Sequence, residues 1–339
     1  MTSIDTPFTR QVGIEVPLIG GAMYPCSNPE LVAAVSEAGG IGVVQPISLT
    51  YVHGHDFREG LQFIRARTRK PIGMNALIEA SSRLYHERMV RWVDMALEEG
   101  IRFFVTSLGN PRWVVDKAAE VGAIVYHDVT VRKWAQKGVD GGVHGLIAVN
   151  NRAGGHAGPK SAEELLEELS DFGLPLICAG GIGDAAEFVR AIQMGYAGVQ
   201  LGTRLIATPE CHASAAYKQA IVDSEEKDIV LTERVTGVPV SVIRTPFIEK
   251  LGTKVGPVTR WMFQHRRTKR WMRTYYALRS VRALKRSSFD ENADYWQAGK
   301  SVATIHDIAS AGDIVREFAA ALRAASPRPA PLASDSSSR

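Results

Sequence analysis

The sequence predicts an α/β protein, a closed (β/α)8 or TIM barrel with an appended, mostly helical C-terminal subdomain. Three observations predict it. Eight short apolar runs recur through the first two hundred residues. Each is continuously hydrophobic, as a strand buried on both faces must be. Most are followed by an amphipathic stretch with helix start and stop signals, and eight βα units in series close most readily into a barrel. An open doubly wound sheet is the rival. It would place G-x-G-x-x-G after the first strand, where this chain has "GGAMYP".

The runs are "PLIGGAM", "IGVVQP", "PIGMNAL", "RFFVTSL", "AIVYHDV", "HGLIAVN", "PLICAGGI" and "AGVQLGT". The first helix, "NPELVAAVSEAGG", opens with an Asn cap and Pro in the first turn and closes with glycine. "NPRWVVDKAAEVG" repeats that design. "SAEELLEELSDFG" sets a Ser cap three residues before a Glu, a capping box. The rhythm stops after about Thr208. "ATPECHASAAYKQAIVDSEE" is expected to be a helix, "IVLTERVTGVPVSVIRTPF" extended or loop, and "SVATIHDIASAGDIVREFAAALRA" a closing helix. The expected division is a barrel over 1–208 and about 301–325, a helical and basic insertion or lid over 209–300, and a disordered tail over 326–339, where "SPRPAPLASDSSSR" is low in complexity.

At 339 residues, 45% hydrophobic and 22% charged, the chain can bury a large core without disulfides. Cys26, Cys178 and Cys211 lie far apart, with neither metal-ligand nor redox-pair spacing. They read as reduced thiols in a cytoplasmic protein. "MTSIDTPFTR" has no apolar core of a secretion signal, and no apolar stretch reaches the length of a membrane span. No His/Cys/Asp/Glu pattern points to a metal.

Active sites of such barrels sit at the C-terminal ends of the strands. That rule selects Gly20, Gly21, Ala22 and Met23 on the first strand and Asn75 on the third. It selects His127 and Asp128 on the fifth, Asn150, Asn151, Arg152 and His156 after the sixth, Ala179, Gly180 and Gly181 on the seventh, and Gln200, Gly202 and Thr203 on the eighth. Glycines after strands seven and eight let backbone N–H groups approach an anion, the usual phosphate position of this architecture. Tight βα turns would use the same glycines. In "NNRAGGHAG" a lone imidazole sits among small residues, and its unperturbed pKa near 6.5 suits proton transfer. A solvated loop histidine is the plain alternative.

Together, "GGAM", "GMNAL", "AGGHAG", "AGGI" and "QLGT", in this order over roughly residues 10–208, resemble the nitronate monooxygenase family, formerly 2-nitropropane dioxygenases. That family also holds flavin-dependent enoyl reductases and NADH:quinone reductases. The resemblance implies an FMN-binding barrel oxidoreductase. Gly180, Gly181, Gly202 and Thr203, with Ala179 beside them, would hold the FMN phosphate. Gly21, Ala22 and Met23 would run along the flavin ring, Asn75 and Gln200 would touch it by side chain, and Gly154 would lie close. His156 matches the catalytic histidine. Family members often carry an acid where Arg152 stands, Gln or Asp where Val149 stands, and Lys where Asp128 stands, so the substrate side of the site is altered. Asn151, Arg152 and His127 are the substrate-side candidates.

The expected reaction is oxidation of an alkyl nitronate by O2 to a carbonyl compound and nitrite. The alternative is an FMN-dependent reductase or dehydrogenase acting on an acyl-CoA or enoyl thioester in lipid or steroid catabolism, or an NAD(P)H:quinone reductase, with NAD(P)H as electron donor. The net charge of +4 bears on this choice. Ten cations lie between Arg260 and Arg286, with no acid from Glu249 to Asp290, so the rest of the chain is acidic overall. Arg266, Arg267 and Arg270 in that stretch could grip the phosphates of a CoA handle. The segment also reads as a solvated rim helix or a homodimer contact. No nucleic-acid motif accompanies it.

Overall fold

The computed structural model describes residues 4–79, 82–235, 237–256, 261, 262, 265, 268 and 283–325. The expectations for Arg266, Arg267 and Arg270 and for the 326–339 tail lie outside these residues.

Eight parallel strands close into one barrel in sequence order. They are β1 (Leu18–Gly20), β2 (Ile41–Val44), β3 (Gly73–Ile78), β4 (Phe103–Leu108), β5 (Ile124–Val129), β6 (Gly145–Val149), β7 (Leu176–Ala179) and β8 (Gly198–Leu201). All eight expected runs form strands. Closure is made where Ile19 of β1 pairs with Gln200 of β8. Ile19, Ile41, Val43, Phe103, Val105, Tyr126, Ile147 and Ile177 fill the interior. The alternate residues, among them Leu18, Met74, Val125 and Cys178, pack outward against the helices. This is the alternation a barrel strand requires.

The capping box is formed: Ser161 Oγ accepts from Glu164 N–H, and the Glu164 side chain accepts from Ser161 N–H. The Asn28 expectation needs correction. The helix Pro29–Glu37 starts there, but Asn28 caps nothing. Its amide donates to Glu210 O and its Oδ1 accepts from His212 N–H, which ties the segment after β8 to the loop after β1.

A helix that the sequence reading did not anticipate, Pro7–Val12, closes the N-terminal end of the barrel. Phe8 packs edge-on against Phe103 and tilted against Tyr126, and Tyr126 Oη donates to Gln11 Oε1 at 2.7 Å. This plug leaves ligands only the C-terminal mouth.

Between the short helix Thr203–Ile206 and the closing helix Ala311–Ala325 the chain makes an excursion. The expected helix over residues 207–226 is mostly turn: only Ala215–Val222 is helical, capped by Ser214 Oγ on Tyr217 N–H. Cys211 N–H is taken by Thr208 Oγ1 and His212 N–H by Asn28 Oδ1, which ties the preceding residues outside the helix. The expected extended stretch is an antiparallel ribbon of β9 (Ile229–Thr232) and β10 (Val240–Ile243), so the excursion is not purely helical. Val240, Val242, Ile248 and Tyr295 form its own small core. The closing helix returns to the barrel wall, with Phe318 stacked on Phe188. Among the described residues no helix is long and apolar enough to cross a membrane.

Candidate active site

The candidate site is built on the loop Asn150–Gly158 at the end of β6. Asn150 is fully buried and organises it. Its Nδ2 donates to Gly180 O at 2.9 Å, its Oδ1 accepts from Arg152 N–H at 2.8 Å, and its carbonyl accepts from Gly158 N–H at 3.2 Å. The Asn150 side chain thus ties the start of the His156 loop to the turn after β7, and its backbone carbonyl holds the loop's far end. In the sequence, the one signal for this role of Asn150 is its position at the C-terminal end of the sixth apolar run.

Two segments of the excursion clamp the loop from outside. Ser241 N–H on β10 donates to Gly155 O at 2.8 Å. Gly299 lies against Gly154, and Lys300 N–H donates to Arg152 O at 2.9 Å. Gly155 adopts a φ of +66°, which a side chain would strain. The loop is therefore held at four points while His156 keeps access to solvent, with protein packed around its ring on the other side. Burial by surrounding protein lowers the His156 pKa below its usual value, so the neutral imidazole dominates at pH 7.

The turn after β7 carries Gly180 at φ +115° and Gly181 at φ +83°. A Cβ on Gly180 would fall 2.4 Å from Asn150 Oδ1 and 2.6 Å from Ala153 N. This glycine therefore makes room for the His156 loop. A Cβ on Gly181 would meet the Arg152 side chain at 2.7 Å. After β8, by contrast, a Cβ on Gly202 would meet only Met23 Sδ, at an ordinary contact distance of 3.7 Å. Thr203 Oγ1 accepts from Gly299 N–H at 2.9 Å, which leaves its own proton to donate.

Around the rest of the mouth, Asn75 is buried and donates to Val105 O at 3.2 Å. Gln200 lies against Gly21, whose N–H closes onto Leu201 O at 2.9 Å. Ala22 packs on the barrel interior and Met23 is half-buried above it. Ala179 is an interior residue at the end of β7. Asn151 is exposed, its N–H on Lys160 O. Arg152 pairs with Glu226 at 2.9 Å, so its charge is already partnered within the protein.

His127 is the exception. It faces the helix Arg132–Asp140, with its ring against Gly138 and Nδ1 2.9 Å from Thr106 Oγ1. Burial lowers its pKa to about 4. The strand alternates, and His127 falls on the outer face, so it is not brought to the mouth. Among the described residues no group of His, Cys, Asp and Glu is arranged to hold a metal.

Residues 5–320 match the sequence family described as nitronate monooxygenase. The chain belongs to the nitronate monooxygenase family. It is an oxidoreductase built on the (β/α)8 barrel. Within the wider family likeness, it is 30% identical over 250 residues to the (3aS,4S,5R,7aS)-5-hydroxy-7a-methyl-1-oxo-octahydro-1H-indene-4-carboxyl-CoA dehydrogenase of Mycobacterium tuberculosis, covering 73% of this chain and 68% of that one. It is 27% identical to a probable nitronate monooxygenase of Staphylococcus saprophyticus, covering 73% and 81%. Among solved structures, FabK from Thermotoga maritima superimposes with a TM-score of 0.78 at 26% identity, covering 95% and 97%.

Proposed function

We propose that this nitronate monooxygenase family member is an FMN-dependent enzyme that oxidises alkyl nitronates with O2 to a carbonyl compound and nitrite. His156 is its acid–base residue. The observation that carries the reading is the seating of His156: reachable from solvent, with its pKa lowered by burial, and held at the end of β6 on a loop clamped by Asn150, Ser241 and Gly299.

FMN, when bound, supplies the ring that accepts electrons from the substrate carbon. The residues present fit it. Gly202 is crowded by nothing nearer than Met23 Sδ at 3.7 Å, and Thr203 has a hydroxyl proton for a phosphate oxygen. Gly181 stands beside them, while Gly180 serves chiefly to seat the loop. Gly21, Ala22 and Met23 would line the ring by backbone, Asn75 and Gln200 by side chain, and Gly154 from the loop. Neutral His156 would take the α-proton of a nitroalkane, and its cation would attract a nitronate. The proposed setting is the cytoplasm, in keeping with three buried free thiols.

A second reading has its own support. The ten cations between Arg260 and Arg286 suit a CoA phosphate handle, and one relative's name is that of a carboxyl-CoA dehydrogenase. In that reading NAD(P)H or a thioester exchanges electrons with the site, and His156 gives or takes the proton at the substrate carbon.

Anaerobic mixing of the yellow protein with propionate-3-nitronate, and separately with NAD(P)H, decides between them. The readout is flavin absorbance near about 450 nm. Bleaching by the nitronate alone is the expected result. Bleaching by NAD(P)H alone would shift the assignment to the thioester or quinone reading. A protein without flavin would overturn both.

A further inference from the structure

Asp128 is a buried carboxyl that the proposed function does not use. It follows His127 on β5, and that single step turns it to the opposite face. Tyr126, two residues earlier, fills the barrel interior. Asp128 is therefore the next inward position toward the C-terminal mouth, where barrel ligands sit. Its register partner on β6 is Ile147, and Thr106 and Ser107 of β4 adjoin it. None of these titrates. His127, the adjacent titratable group, points into the helix layer. Oδ1 is sealed from solvent and makes no hydrogen bond to the described residues, while the rest of the residue is only partly covered. The group therefore borders an opening and not packed core.

A buried polar atom with no partner is rare in a native interior and destabilising. Burial alone acts on this carboxyl and raises its pKa to about 7; no charged side chain offsets it. A carboxyl kept protonated by an apolar site is a hydrogen-bond donor. Asn75 on β3 already spends one amide hydrogen on Val105 O. Below about pH 7 Asp128 is thus an unengaged inward donor, two strands around the mouth from β7.

We propose that Asp128 contacts the cofactor, donating its carboxylic O–H to a carbonyl oxygen on the pyrimidine edge of the flavin ring. This rests on the FMN reading above and deepens it. Of the two ends of a flavin ring only the pyrimidine end carries carbonyl acceptors, so an unpartnered donor at the end of β5 fits that end and not the dimethylbenzene one. A neutral donor there replaces the cation that the family resemblance leads one to expect. It gives the site a flavin contact that ionisation can remove.

The test is the FMN dissociation constant, read by quenching of flavin fluorescence on the full chain freed of flavin by dialysis. It is measured at pH 5.5 and 8.5 for wild type, Asp128→Asn and Asp128→Ala. Asparagine is near isosteric and keeps a donor at both pH values, and it shares any titration of the FMN phosphate. The wild-type constant divided by that of Asp128→Asn is expected to be near one at pH 5.5. It should rise roughly tenfold or more by pH 8.5, as the acid ionises beside a carbonyl oxygen. Asp128→Ala should bind roughly tenfold more weakly than Asp128→Asn at both pH values. A wild-type to Asn ratio that stays constant with pH, wild-type binding that tightens with pH, or an alanine variant that binds as tightly as Asp128→Asn would overturn the proposal while leaving FMN in place. Failure of the wild type to bind FMN at all would overturn the proposed function itself.

Discussion

Gly154 and Gly299 meet backbone to backbone: a Cβ on Gly299 would fall 2.6 Å from Gly154 N, and a Cβ on Gly154 would fall 2.9 Å from Gly299 N. Two residues 145 positions apart in sequence are both glycine at a point where two chains touch. Backbone atoms cannot yield as a flexible side chain can. Gly299→Ala is therefore expected to destabilise the fold by about 1–3 kcal/mol and to displace the His156 loop. Turnover should fall further than thermal stability alone explains. Melting and steady-state rates on the same preparation check this; a variant with wild-type turnover would show that the contact does not position His156.

His156 is neutral at pH 7 because burial lowers its pKa. With a neutral nitroalkane as substrate, where the imidazole must take the α-proton, activity should persist below the ordinary histidine range and fail on an acid limb beneath about pH 6.5. His156→Asn should slow the proton-dependent step by about a hundredfold or more and abolish that limb, with FMN still bound. Rates from pH 4.5 to 8 settle it. An unchanged acid limb in the variant would assign that limb to another group.

His127 predicts a pH dependence of stability and not of catalysis. Its folded pKa of about 4 lies below the unfolded value of about 6.5. As pH falls through that window, the unfolded chain takes up a proton that the folded chain refuses. Stability from this group is thus present above about pH 6.5 and lost toward pH 4, by about 3 kcal/mol. Urea unfolding at pH 7 and 4.5 should show the loss in wild type and a shallower one in His127→Leu. The catalytic pH profile should not move.

Arg152 and Glu226 make a half-exposed pair at 2.9 Å, and Lys300 approaches the same carboxylate at 3.4 Å. Solvent screening limits such a pair to about 1 kcal/mol or less. Glu226→Gln should therefore change the melting temperature by only a degree or two while freeing the Arg152 charge. A lower KM for propionate-3-nitronate in that variant is expected if Arg152 reaches the substrate. An unchanged KM would confine Arg152 to holding the loop.

The barrel was legible because its signals are local. Continuous apolar runs, capping residues and terminal glycines each report the conformation of a few neighbours, and eight repeats leave one architecture. The plug helix Pro7–Val12 was missed because it is shorter than two turns and owes its place to Phe8 in the barrel floor, a contact no local pattern shows. The site was legible only as strand ends. Which of His127 and Asp128 enters the mouth turns on one residue of strand phase, and closure of the barrel alone sets that phase. Cys26 and Cys211, dismissed as a pair on spacing, lie side by side, with Cys211 Sγ donating to Cys26 O at 3.6 Å. The clamps on the His156 loop at Ser241 and Gly299 join segments about ninety and more residues apart. Such contacts depend on how an excursion folds back over the rim, so they arise only once the barrel and the excursion have closed on each other.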